Sequence, residues 1–176
     1  MPPSFTPFLA VTTVDTPDAL PAAAGAYALV LRLHTETAFT AGRLGRQGLP
    51  PGGYLYAGSA KGPGGIRARV RRHARAAKRV HWHLDRLTNQ VGVAAALALP
   101  GGTECGLVAA LAARAGVTVP VPGLGSTDCR ACPAHFLGLW EDFDLAAEAP
   151  ALALAAGASA AVLWHRPPVT CFAGGG

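Results

Sequence analysis

Hydrophobic and polar positions alternate clearly at two places early in the chain. In GAYALVLRLH, residues 25–34, Tyr27, Leu29, Leu31 and Leu33 share one face, and Ala28, Val30 and Arg32 share the other, which is the period of a strand. In YLYAGSA, residues 54–60, Tyr54 and Tyr56 lie on the same side as the Cα of Gly58, with Leu55 and Ala57 opposite. A further short strand is read near 38–41, and the Gly/Pro-rich stretch 42–53 is read as the loop returning to Tyr54. KGPGG at 61–65 cannot continue a strand. It opens a helix over 65–79 in which Ile66, Val70, Ala74 and Ala77 form the apolar stripe at about 100° per residue.

A second short helix is expected over 80–90, with Leu84 and Leu87 facing inward and His81, Trp82, His83 and Asp85 crowding its start. An apolar run of strand length at 91–99 follows, and then a helix opened by Thr103 that packs through Leu107, Val108 and Leu111. Residues 117–125 read as loop or edge strand, 128–135 as a turn and 136–140 as a strand. The remainder reads as an alanine-rich helix, a last strand near 161–165 and a glycine tail expected to be disordered. Residues 1–24 show no period and are taken as an extension. Short antiparallel strands leading into a helix mark an α+β fold, divided as an extension (1–24), a domain (25–140) and a C-terminal extension (141–176).

Composition narrows the picture. With 51% hydrophobic residues in 176, the chain carries enough apolar side chains for one ordinary core. The net charge of +5 is concentrated, because seven of the 15 Lys and Arg residues fall within 65–79. A patch of that kind favours an acidic partner such as nucleic acid, although charged runs are also common on merely solvated helix faces. The amino end lacks a basic signal-peptide region, and no apolar run reaches the roughly 20 residues that a membrane helix needs, so a cytoplasmic protein is expected.

The candidate chemistry centres on the basic helix. Arg69 and His73, four apart, stack at the edge of the apolar stripe, where a partly desolvated guanidinium suits a bidentate grip on phosphate. Lys61, Arg67, Arg71, Arg72, Arg75 and Lys78 are the candidate contacts to a polyanion, which are DNA contacts if the resemblance described below holds. The glycine turn before the helix is read as leaving free N–H groups for an anion. Glu104 lies in the first turn of its helix, where the dipole favours a carboxylate whether or not it has a further role. Cys129, Cys132 and His135 are candidate zinc ligands, but a structural site takes four, usually in two separated pairs. Cys105 completes the set only if folding brings it near. Zinc is therefore not expected, and the segment is read as a tight turn with small buried thiols.

Taken in order, Gly25-Ala26-Tyr27, Tyr56-Ala57-Gly58, Arg69, His73 and Glu104 resemble the GIY-YIG nuclease superfamily. The longer strings GYLYAGSA, GPGGI, HWHLD, TEC and GSTDCRAC resemble its small uncharacterised branch, found alone or fused to endonuclease III-type glycosylases. The resemblance implies a small three-stranded antiparallel or mixed sheet flanked by helices, with an added C-terminal helix and strand. It also implies hydrolysis of DNA phosphodiesters with one divalent ion, in repair or in processing of structured DNA. Glu104 would hold Mg²⁺ or Mn²⁺, Arg69 would clamp the phosphate, Tyr27 or Tyr56 would act as base or orient water, and His73 would carry a proton or hold a tyrosine. His83 is a second candidate for that last role. Asp128 and Ser126 fall near the family's late Asn, and Ser59-Ala60 intervene before the usual Lys, here Lys61. The alternatives are an inactive nucleic-acid-binding module and a zinc-stabilised interaction domain.

Overall fold

A computed structural model describes residues 9–168. In chain order the elements are β1 (Val11–Val14), a 3-10 turn (Pro17–Ala19), β2 (Gly25–Leu33), β3 (Thr37–Thr40), a 3-10 turn (Gly42–Leu44), β4 (Arg46–Leu49) and β5 (Gly52–Ala60). Next come α1 (Gly65–Ala74), α2 (His83–Val91), β6 (Ala95–Pro100), α3 (Glu104–Ala112), β7 (Phe136–Gly138), α4 (Leu145–Ala156) and β8 (Ala161–His165). The class is α+β, as the patterning implies.

Its main sheet has six strands, ordered β1-β8-β6-β2-β5-β7, and not three. Only β1 and β8 run parallel. An antiparallel trio, β6-β2-β5, forms the middle. Two differences from the patterning explain the larger sheet. The strand after β2 leaves it: β3 pairs with β4, a stretch read as loop, in a separate two-stranded ribbon. The place beside β2 goes to β6, and β8 and β1 extend that edge. Strand β1 comes from the segment read as an extension, where a four-residue edge strand with both central threonines exposed carries no alternation to read. The glycine tail lies outside the described residues.

Both faces of the middle strands are covered, so β2 is buried almost throughout. Tyr27, Leu29, Leu31 and Leu33 pack with Tyr54, Ile66, Val70, Leu84 and Leu87 beneath α1 and α2. Ala26, Ala28, Val30, Leu55 and Ala57 pack with Leu107, Leu111 and Leu152 beneath α3 and α4. The alternation at 25–33 and 54–60 therefore assigns residues to two cores, and each fully buried leucine adds about 1.5–3 kcal/mol of transfer free energy.

Helix α1 stops at Ala74, well short of position 79. Arg75 turns to an extended conformation, Ala77 takes φ of 49°, and Ala77 is exposed and not part of the packed stripe. The terminal carbonyls find charged partners. Lys78 Nζ donates to His73 and Arg75 oxygens at 3.1 and 3.2 Å, and Arg166 Nη2 donates to Ala74 at 2.8 Å. Cations at a helix C-terminus satisfy its unpaired acceptors and complement its dipole.

Candidate active site and a neighbouring cysteine–histidine cluster

Register builds the first half of the site. Antiparallel pairing sets Tyr27 opposite Gly58. A Cβ at Gly58 would overlap the Tyr27 ring, so glycine is what lets the phenol lie across β5. Tyr56, two residues earlier on the same face, comes to a ring separation of 6.4 Å from Tyr27. Helix α1 crosses this face and brings His73, whose Nε2 lies 3.2 Å from the Tyr27 hydroxyl.

Behind His73 stands a residue to which sequence reasoning gave no role. Asp85, 0% exposed, has Oδ1 at 3.6 Å from His73 Nδ1. It takes both nitrogens of Arg72 at 2.8 and 2.7 Å and the backbone N–H groups of His81 and Trp82 at 2.8 Å each. Those donors hold the Asp85 carboxyl well below the usual range despite its burial. Asp at the third helical position reaching back to the helix start is a capping signal, and HWHLD carries it. His73 is 2% exposed, and burial lowers its pKa from 6.5 to about 4, opposed by Asp85. Its imidazole is thus neutral at neutral pH. At 3.6 Å the carboxylate makes no hydrogen bond to Nδ1, but its charge favours the proton there, leaving Nε2 to accept from the Tyr27 O–H. Burial pushes both Tyr27 and Tyr56 phenols up, with the Arg69 charge pulling the other way.

Arg69 has no hydrogen-bond or ion-pair partner among the described residues. Its guanidinium carbon lies 4.7 Å from the centre of the Trp82 ring, whose other close cation is Arg72 at 4.2 Å. The Trp82 platform orients Arg69 while leaving its donors free. Glu104, half-buried, completes the set from the first turn of α3, and its charge is felt at the Tyr56 phenol. Tyr27, Tyr56, Arg69, His73 and Glu104 line one cleft of about 790 Å³, together with Lys61, His83 and Asp128. All three of the latter are exposed, and His83 lies over Gly42.

Several expected DNA contacts are engaged within the protein. Arg67 Nε donates to the Leu20 carbonyl at 2.6 Å, Arg71 pairs with Asp18 at 2.7 Å, Arg72 is clamped by Asp85, and Lys78 also reaches Asn89 Oδ1 at 3.1 Å. Lys61 and Arg75 have no such partner among the described residues. The glycine turn is not an anion cradle, because the N–H groups of Gly65, Ile66 and Arg67 already donate to Gly62, Ala23 and Pro21 carbonyls. The segment at 21–23 covers the helix start, which patterning could not show.

The cysteine turn departs most from expectation. Folding places Cys105, at the start of α3, against Cys129, Cys132 and His135, and one donor atom from each lies within 4.8 Å of the others. The fourth ligand that the sequence spacing lacked comes from a separate element, and the four residues form a Cys₃His cluster able to hold a metal. The Cys105 and Cys129 sulfurs are 3.5 Å apart and unbonded. The Cys132 N–H donates to Cys129 Sγ at 3.3 Å. Hydrogen bonding from the His135 ring and from the Ala131 and Cys132 amides lowers the Cys129 thiol to about 6, while burial and its two sulfur neighbours push Cys132 up to about 12. Cys171 lies outside the described residues.

The fold and the cleft define an α+β domain in which a tyrosine–histidine pair backed by a buried aspartate, a free arginine and a carboxylate converge beside a cysteine–histidine cluster. By its sequence the chain belongs to the family described as a domain of unknown function, DUF123, whose model matches residues 26–156. Comparison with curated proteins and with solved structures finds no match. No helix among the described residues is long and apolar enough to cross a membrane.

Proposed function

We propose that the cleft is the active site of an endonuclease that hydrolyses DNA phosphodiester bonds with one divalent ion, as the GIY-YIG resemblance implies. The observation that carries this reading is convergence. A guanidinium with unused donors, two phenols and a carboxylate, drawn from β2, β5, α1 and α3, share one cleft. Hydrolysis of a phosphodiester needs a proton acceptor for water and fixed positive charge for the oxyanion that develops.

Arg69, aimed by Trp82, grips two non-bridging phosphate oxygens, and Lys61 reaches the same cleft. Tyr56 keeps its proton because burial raises its pKa, so it donates to a phosphate oxygen. Tyr27 donates to His73 Nε2, which leaves the lone pairs of its oxygen free to accept a proton from water as its own proton passes to the imidazole. His73 becomes imidazolium at that moment, and Asp85, 3.6 Å from Nδ1, stabilises the charge. The hydroxide attacks phosphorus, the P–O bond to the sugar oxygen breaks, and that oxygen takes a proton from solvent water while His73 returns its proton through Tyr27 to solvent. Glu104 offers a hard oxygen donor in a cleft open to water, which suits Mg²⁺ or Mn²⁺, ions that keep several waters of their own. When bound, such an ion neutralises charge on the phosphate and the leaving oxygen.

Purified protein is expected to nick or cut at least one of a panel of flaps, junctions, nicked duplexes and abasic sites with Mg²⁺ or Mn²⁺. Arg69→Ala and Glu104→Ala should each abolish cutting while leaving the circular dichroism and melting curve in place. Full cutting by either variant ends this assignment.

A further inference from the structure

We propose that Cys105, Cys129, Cys132 and His135 bind one zinc ion, and that this ion holds the first turn of α3 so that Glu104 faces Arg69 and the two phenols. The first half stands on the cluster alone; the second rests on the nuclease reading above.

The donor set selects the metal. Three sulfurs and an imidazole are poor ligands for Mg²⁺ or Mn²⁺ and good ones for Zn²⁺, so this site is chemically distinct from the Glu104 carboxylate. Spacing agrees. A tetrahedral ion with Zn–S bonds of about 2.3 Å sets its sulfurs roughly 3.8 Å apart, and the Cys105 and Cys129 sulfurs stand at 3.5 Å. The Cys132 N–H directed at Cys129 Sγ stabilises a thiolate there. His135 belongs to the same buried group: it is 5% exposed, one of its ring nitrogens lies within 4.8 Å of the three sulfurs, and its Nε2 has no hydrogen-bond partner.

The chain around the cluster needs such a tie. From Ala113 to His135 there is no helix or strand apart from a single bridge between Thr118 and Gly138. Irregular segments of that length inside a compact domain are uncommon without a functional or stabilising reason. The ion would anchor this segment at both ends that matter to the cleft. Cys105 adjoins Glu104 on α3, and the His135 carbonyl accepts the Ala57 N–H at 2.8 Å, next to Tyr56 on β5. Zinc would thereby couple the helix that carries the acid to the strand that carries the phenol.

The full chain, expressed with zinc and purified under reducing conditions, is expected to carry one zinc per molecule by elemental analysis. Cobalt substitution should give thiolate charge-transfer bands and the visible bands of a tetrahedral site. Cys129→Ser should lose stoichiometric metal, whereas His135→Cys should retain it with shifted cobalt bands. Glu104→Gln should keep both zinc and the cobalt spectrum unchanged while losing cutting. Zinc-stripped protein should lose cutting in Mg²⁺ and regain it when one equivalent of zinc returns. Wild-type protein that folds and melts normally without zinc, or that forms a Cys105–Cys129 disulfide in its place, overturns the metal site. Stoichiometric zinc whose removal leaves cutting unchanged overturns the coupling to Glu104. If no DNA is cut under any condition, the nuclease reading fails, and the metal content still decides the site.

Discussion

His73 provides a perturbation whose size can be worked out from its surroundings. Burial against Tyr27, Tyr56 and Trp82 lowers its pKa from 6.5 to about 4, with Lys78, Arg72 and Arg69 adding to the effect and Asp85 opposing it. The unfolded chain takes up a proton at this residue as pH falls through 6.5, and the native state does not until about 4. Native stability therefore declines over that window, by up to about 1.4 kcal/mol per pH unit and about 3 kcal/mol in all. Such a loss is a large share of an ordinary domain's stability, about 5–15 kcal/mol. Asp85 acts lower. Its carboxyl is held below the normal range, so its contribution is present above the unfolded value of about 4 and is lost as pH falls further.

Urea unfolding of wild type and His73→Gln at several pH values separates the imidazole from every group the two proteins share, including the cysteine cluster. Gln keeps an acceptor near the Tyr27 hydroxyl but cannot titrate. The stability advantage of wild type over the variant should shrink by about 3 kcal/mol between pH 6.5 and 4, with m-values unchanged. Parallel stability curves through that interval would show that His73 is not buried neutral, and the Tyr27-to-His73 proton path would fall with it.

Three further outcomes follow from the same geometry. Asp85→Asn leaves the Arg72 guanidinium facing an amide, and should cost about 3–5 kcal/mol in chemical denaturation; wild-type stability would deny Asp85 its place at the centre of this network. Gly58→Ala pushes a methyl into the Tyr27 ring, which is too buried to swing away. About 1–3 kcal/mol of stability is expected to go, together with most cutting, whereas an active, fully stable variant would show that the ring does not need the glycine. DNA affinity should fall with salt at a log–log slope of about −3, from Lys61, Arg69 and Arg130 on the cleft. A slope near −6 or steeper would mean that the arginines now tied to Asp18, Asp85 and Leu20 release those partners to meet phosphate.

Much of the cleft was legible before folding because its parts are set by local periodicity. A period of two places Tyr27 with Leu29 and Tyr56 with Gly58, and a period of 3.6 stacks His73 on Arg69. Thr103 caps α3 and sets Glu104 in its first turn, with Thr103 Oγ1 accepting the Gly106 N–H at 3.3 Å. Local patterning could not say which strand lies beside which. It missed β1, β4 and the place of β6 next to β2, because strand order depends on contacts between residues far apart in the chain.

The residue types and their order determined that this protein would bring phenols, a guanidinium and an acid to adjoining elements of an α+β domain. Tertiary structure decided what each is free to do. Counting charges along a helix cannot reveal that Asp18, Leu20 and Asp85 occupy three of its arginines while Arg69 keeps its donors free. Nor can spacing within 129–135 reveal that Cys105 arrives from α3 to complete a Cys₃His cluster able to hold a metal. Charge, burial and metal geometry are properties of neighbours in space, and those neighbours exist only once the sheet has closed its register and the helices have packed on its two faces.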